Sequence, residues 1–211
     1  SMLQNYGDME NWGWEFSVNA SLLRRQGFDL GANFNVTTQN NKITKLGAPY
    51  ADAAFRRAEG HDYQEYFLYP WAGVDPANGE PLYYTDATKT TTTSLLNETE
   101  RIYDGKSATP KYIGSFGLTA NAGPVTIHTN AIYAFGHYLY EYAARYYNGD
   151  GASLPRSTSR WAWENRWQKP GDIAKVPKQK WGGSANNNPN YSSRYLFKGD
   201  YVRKGQQLTE G

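Results

Sequence analysis

Between Asn11 and Gln39 apolar and polar residues alternate. Trp14, Phe16, Val18, Ala20 and Leu22 share one parity, and Glu15, Ser17, Asn19 and Ser21 the other. After Arg24-Arg25-Gln26-Gly27 the pattern restarts, with Phe28, Leu30, Ala32, Phe34 and Val36 against Asp29, Gly31, Asn33, Asn35 and Thr37. Successive strand side chains point to opposite faces, so this period of two predicts a β-hairpin with one apolar and one polar face. The stretch "KYIGSFGLTANAGPVTIHTNAIYAFGHY" repeats the pattern around Ala122-Gly123-Pro124. One arm aligns Tyr112, Gly114, Phe116, Leu118 and Ala120; the other aligns Val125, Ile127, Thr129, Ala131, Tyr133 and Phe135. A further ribbon is predicted from Tyr63–Gly73, turning at "VDPANGEP" and returning through Leu82–Thr85. Pro76, Asn78-Gly79 and Pro81 supply its turn chemistry. A last strand is predicted over Ser193–Arg203.

Long segments without regular alternation separate these ribbons: Gly47–Asp62, Thr85–Thr109 and Tyr138–Tyr191, the last with "SANNNPN". Loops beyond about 12–15 residues are uncommon in compact soluble domains. They are ordinary in outer-membrane barrels, which have short turns on one side and long loops on the other. If the Gln26-Gly27, Asn78-Gly79 and Gly123-Pro124 turns share one edge, every long segment falls on the opposite one. That asymmetry favours a barrel wall, with Trp14, Phe16, Val18, Ala20 and Leu22 towards lipid and Glu15, Ser17 and Asn19 towards a polar interior. Trp12, Trp14, Tyr112 and Tyr133 then suit an interfacial aromatic girdle. A soluble β-sandwich that binds carbohydrate through Trp and Tyr shows the same alternation and stays open as the alternative.

Composition narrows the choice little. The 211 residues include 18 Tyr, 7 Trp and 8 Phe, no Cys, and a net charge of +2. No disulfide framework or Cys-based zinc site is available, and no strongly charged partner such as nucleic acid is implied. Mean hydropathy is −0.78. No apolar run reaches the ~18 residues of a membrane helix, but barrel strands hide their apolarity in alternation.

Candidate chemistry is sparse. His61, His128 and His137 lack metal-ligand spacing and read as lumen or loop residues. "VDPANGE" places Asp75 and Glu80 around a turn without calcium-loop spacing. No nucleotide-binding or hydrolase motif occurs. The loop "SRWAWENRWQKPGD" is the most informative: Trp161, Trp163 and Trp167 stand among Arg160, Glu164, Asn165 and Arg166. Flat rings beside polar groups suit stacking on a sugar or peptide. The competing reading makes Trp163 and Trp167 one apolar face of a short anchoring helix. In "HYLYEYAARYYNGDG", Tyr138 and Tyr140 are girdle, loop core or ligand-facing, and Tyr142 and Tyr146 share a face if a helical turn forms. The candidate ligand-binding set is Trp161, Trp163, Trp167, Tyr138, Tyr140 and Arg166, with no catalytic and no metal residue.

Six motifs in order then resemble one family. "YGDMENWGWEFSVNA", with Asn5, Gly7, Asn11, Gly13 and Glu15, is similar to a strand start of SusC/RagA-type TonB-dependent outer-membrane transporters. "FDLGANFNVTTQNNKITKL" resembles the family's next strand, and "YPWAGVDPANGEPLYY" its ribbon turn, with Asn78 where Thr is usual. "ATPKYIGSFGLTA" resembles a "P-x-x-x-G-G-F" start, with Ser115 replacing Gly. "RWQKPGD" and "SSRYLFKGDYVR" resemble a loop and a strand near the barrel's end. The polar "KGQQLTEG" departs from the apolar strand expected there. The resemblance implies an all-β chain: antiparallel strands of a transmembrane β-barrel wall, about seven of the family's roughly twenty-two, forming an incomplete barrel with long extracellular loops. It implies one segment, residues 1–211, with the plug domain and remaining strands absent. The implied role is nutrient import across the bacterial outer membrane, not enzymatic catalysis, without cofactor. The implied partners are a SusD/RagB-like surface lipoprotein, a TonB complex acting through the missing N-terminal part, oligosaccharide or peptide cargo, and membrane lipid.

Overall fold

The computed structural model describes residues 7–151, 157–180 and 188–204. Asn5 of the first motif, most of "SANNNPN" and the polar stretch after Lys204 lie outside the described residues. The chain folds in two levels: a two-faced wall, and above it a layer of short strands and turns with its own core.

The two alternating stretches form the wall. The first hairpin is β1 (Gly7–Trp12) and β2 (Glu15–Arg25) in one arm, β3 (Phe28–Thr38) and β4 (Asn40–Leu46) in the other. The short strands β5 (Tyr50–Asp52), β6 (Phe55–Arg57), β7 (Glu65–Leu68), β8 (Trp71–Val74), β9 (Pro81–Tyr84), β10 (Thr92–Thr93) and β11 (Ile102–Ser107) follow. The second long hairpin is β12 (Tyr112–Ala122) and β13 (Val125–Phe135). Next come β14 (Tyr138–Tyr140), helices α1 (Ala144–Tyr147) and α2 (Arg160–Glu164), and strands β15 (Leu196–Lys198) and β16 (Tyr201–Lys204). The wall is the antiparallel sheet β16-β13-β12-β3-β2.

Its register follows the alternation. One face carries Val18, Phe34, Phe116 and Ala131 in a row, and the opposite face Asn19, Asn33, Gly117 and Asn130. Phe16, Phe34, Phe116, Val125 and Ile127 stay exposed, and no second sheet among the described residues covers them as a sandwich would require. The polar face is laced by its own bonds: Asn35 Nδ2 donates to Ser115 Oγ at 2.6 Å, and Thr126 Oγ1 to Asn121 Oδ1 at 2.8 Å. Strands β2, β3, β12 and β13 have 11 residues each. That is about 35 Å of strand, which a tilt of ~45° reduces to roughly the ~25 Å apolar band of an outer-membrane barrel.

Two expectations need correction here. A β-bulge between Ser21 and Leu23 puts Leu23, not Leu22, opposite Leu30, because one extra residue flips the parity that follows. The final strand is not continuous: a 3-10 turn at Ser193–Tyr195 leads into β15, and Gly199-Asp200 separates β15 from β16.

The tight turns Gln26-Gly27 and Gly123-Pro124 share one edge, since Gly123 N–H donates to Gly27 O at 3.1 Å. Gly27 (φ +80°) and Gly123 (φ +58°) adopt a left-handed backbone that favours glycine. At the other end the wall stops at a rim where backbones approach closely. A Cβ on Gly13 would lie 1.9 Å from Thr38 O, and one on Gly199 2.3 Å from His137 Nε2. Gly136 N–H donates to Asp200 Oδ1 at 2.7 Å. Several of the motif glycines thus mark the rim. Trp14, exposed over most of its surface, meets Thr38 there, next to Tyr112 and Phe135. Tyr133 instead is buried: it lies over Gly114 and donates to Asn35 O at 2.9 Å.

Beyond the rim lie short sheets, β11-β7-β6-β5, β10-β9-β8 and β14-β15; the predicted ribbon is present as β7 and β8 returning through β9, and the segments read as irregular add β5, β6, β10, β11 and β14. The alternation of β5, β6, β10 and β14 is too brief to show in sequence. Ala54, Tyr66 and Leu68 form the core of this layer, packed by Phe55, Tyr138, Tyr140, Tyr191 and Leu196. The Asn78-Gly79 turn also lies in this layer, away from the other two turns, because it docks on Trp167.

Candidate functional site

The layer above the rim holds all the candidate ligand-binding residues, in two groups. Tyr138 and Tyr140 stand on β14. The Tyr66 hydroxyl donates to Tyr138 O at 3.1 Å and accepts the Tyr140 N–H at 3.2 Å, so one phenol ties β7 to β14. Burial pushes the pKa of Tyr140 and Tyr66 up, keeping both phenols neutral. Tyr140 is partly buried and packs against the core of Ala54, Tyr66 and Leu68. Tyr138 is half-buried, with the Lys106 ammonium 5.6 Å from its ring. Tyr142, in the turn before α1, and Tyr146 meet edge to face at 5.8 Å, as the helical-turn reading expects.

The second group surrounds α2. Ser159 opens this helix, its hydroxyl accepting the Ala162 N–H at 3.1 Å, and Arg160 pairs with Glu164 at 2.6 Å. The helix ends before Trp167, so Trp163 and Trp167 do not share a helical face; the anchoring reading is corrected to Trp167 alone. Trp167 Nε1 donates to Pro76 O at 3.0 Å, and its ring covers Gly79, where a Cβ would lie 2.5 Å away. Gly79 has φ +74°, so the turn needs glycine for both conformation and space. Trp161 and Trp163 face solvent. The Arg166 guanidinium stacks 3.3 Å from the Trp163 ring centre and donates to Trp163 O. Glu80 clamps the base of this loop, pairing with Lys178 at 2.7 Å and Lys180 at 2.9 Å. Partial burial raises its pKa, but the two lysines outweigh that and hold it below the ordinary carboxylate value.

A third feature has no signature in the sequence. Lys89 and Lys106 both pair with Asp104 beside a cavity of about 140 Å³ lined also by Tyr66, Trp71 and Tyr84. Burial opposes the Asp104 charge, yet its two lysines hold the pKa below the ordinary value. These residues come from four strands and a turn, so no spacing rule links them.

No family model matches the chain. Over 95 residues it is 30% identical to the TonB-dependent receptor SusC of Bacteroides thetaiotaomicron, a match covering 38% of this chain and 10% of that protein. It is 43% identical over 47 residues to the TonB-dependent receptor P26 of Formosa agariphila, covering 22% of this chain and 5% of that one. Against the receptor P3 of the same organism it is 40% identical over 65 residues, covering 30% and 6%. A solved structure of the RagAB peptide transporter superposes with a TM-score of 0.82 at 23% identity, covering 95% of this chain and 22% of that one. A RagAB peptide importer in an open-open state gives 0.82 at 22% identity, with the same coverage of 95% and 22%. The chain spans a tenth or less of the curated relatives it matches.

Proposed function

We propose that this chain, whose sequence and fold resemble a section of a SusC/RagA-type TonB-dependent receptor barrel, forms part of the wall and outer cap of a nutrient importer in the bacterial outer membrane. The single observation that carries this reading is the wall itself. Its apolar face is exposed across four long strands and its opposite face is a hydrogen-bonded polar surface, an arrangement suited to lipid on one side and water on the other. Further strands of the complete protein would pair with the outer strands β2 and β16 and close the cylinder. A plug domain and a TonB-contacting segment belong to that larger protein. Cargo is an oligosaccharide or a peptide, and a surface lipoprotein of the SusD/RagB kind covers the outer opening. The chain contributes binding and passage, not covalent chemistry.

The test compares adjacent positions in the intact protein. Val18→Arg places a charge on the lipid face, at about 2–4 kcal/mol near mid-membrane, and should impair assembly. Asn19→Arg faces the polar interior and should assemble normally. Assembly is read from the heat-dependent gel mobility of the folded barrel, and equal assembly of both variants would remove the lipid-facing assignment. Disrupting the gene should abolish growth on one class of oligosaccharide or peptide while porin-permeable monomers still support it.

A further inference from the structure

We propose that the cavity beside Asp104 is a cargo subsite that receives the carboxylate side chain of an acidic peptide, an inference that rests on the import reading above. Its polar side is the triad Lys89–Asp104–Lys106, which carries one surplus positive charge. Each ammonium has three donors and the shared Asp104 occupies only part of them, so donors remain for a second carboxylate. The three side chains are 38%, 29% and 33% exposed, so an added ion pair there is screened less than one on the open surface. The apolar side is built from the Trp71, Tyr84 and Tyr66 rings. Arg194 lies 5.1 Å from the Trp71 ring and adds positive potential nearby.

The approach of Lys89 is a built feature. Lys89 has φ +54°, uncommon for a residue with a side chain. The turn before it is held by Asp86, whose carboxylate accepts the Thr88 N–H at 2.8 Å. This turn delivers the Lys89 ammonium from the β9–β10 connection onto β11, 15 residues further along the chain.

Size decides the ligand. An apolar cavity of about 150 Å³ accommodates benzene, so the space here admits roughly six heavy atoms. The side chain of Glu or Asp fits, with its methylenes against the rings and its carboxylate towards Lys89 and Lys106. A hexuronic acid has roughly twice as many heavy atoms and is not enclosed whole, so its ring would stay at the mouth. The same carboxylate chemistry on an acidic glycan is thus disfavoured by volume, not by charge.

The experiment uses the intact outer-membrane protein purified in detergent and isothermal titration with acetyl-Ala-Glu-Ala-amide, acetyl-Ala-Gln-Ala-amide and galacturonate. The Glu peptide should bind about tenfold or more tightly than the Gln peptide, the range for a hydrogen bond to a charged partner. The preference should vanish in the near-isosteric variant Lys89→Gln/Asp104→Asn/Lys106→Gln and persist in Lys106→Arg. Equal binding of the two peptides by the unaltered protein overturns the proposal, and this comparison decides the point even where a variant fails to assemble. Galacturonate displacing the Glu peptide at equal concentration also overturns it, in favour of an acidic glycan. An unchanged growth phenotype in the gene disruption beside an intact Glu preference would sink the import reading and leave the subsite standing.

Discussion

At the scale of single residues, close approaches and ion pairs explain more than hydropathy does. Gly114 is a case: a Cβ there would lie 2.1 Å from Asn35 O and 2.5 Å from the Tyr133 hydroxyl oxygen. The ring of Tyr133 fills the space the glycine leaves, and its hydroxyl ties β13 to β3 across β12. Gly114→Val should therefore destabilise the barrel by about 1–3 kcal/mol, as overpacking does, and Tyr133→Phe by about 1 kcal/mol for the lost hydrogen bond. Urea titration of the refolded protein in liposomes measures both. Glu80 gives a pH prediction. Its folded pKa is depressed, so its contribution is fully present above the ordinary value of 4.5 and is lost as pH falls through the lower folded value. Acid should release the Trp167 loop, seen as faster cleavage between residues 160 and 180 by an acid-active protease. Glu80→Gln should already be loose at neutral pH and respond much less to acid.

Among the elements, the long strands were legible, as was the β8–β9 ribbon with its turn, and most of the other short strands were not. Eleven-residue arms give the period of two enough repeats to be distinct, and β2, β3, β12 and β13 fall where it predicts. The three-residue strands β5, β6 and β14 show one alternation each, which any sequence shows by chance. Asn78-Gly79 was recognisable as a turn, but its place depends on Trp167, about ninety residues away, and no local pattern carries that contact. The candidate loop residues were visible as an aromatic cluster; that Trp167 anchors while Trp161 and Trp163 face outward follows from where α2 stops. The bulge leads to a sharper prediction. Leu22 is the extra residue, so deleting it leaves Ser21 opposite Gly31 and Leu23 opposite Leu30. Deleting Val18 instead shifts everything before it by one, turning Glu15 and Ser17 towards lipid and Phe16 inward. The Leu22 deletion should assemble at close to the normal level and the Val18 deletion should not. Comparable assembly of the two would mean that the register is not set by this alternation.

For the whole molecule, the two levels answer to different solvents. Apart from Tyr133 and Ala134 the wall contributes few buried apolar residues, because its apolar face is covered by lipid in the reading proposed here; the cap keeps a core of its own around Ala54, Tyr66 and Leu68. Changes in the cap can therefore alter binding without disturbing the wall. Trp161 and Trp163 are proposed as cargo contacts on this ground: both are exposed, and Trp163 is held flat by Arg166, a cation–π contact of about 0.5–1 kcal/mol at an exposed site. If each ring stacks on cargo for about 1 kcal/mol, the double change Trp161→Ala/Trp163→Ala should weaken cargo binding by about 2 kcal/mol, a factor of ~30 in Kd. Uptake at low cargo concentration should fall accordingly while heat-dependent gel mobility stays normal. Trp167→Ala should act differently, since it removes the cover of Gly79 and the bond to Pro76 O, and should make the loop protease-sensitive whether or not cargo is present. Normal uptake by the double variant would take Trp161 and Trp163 out of the binding site, and a loss of assembly in it would show that they hold the cap together instead.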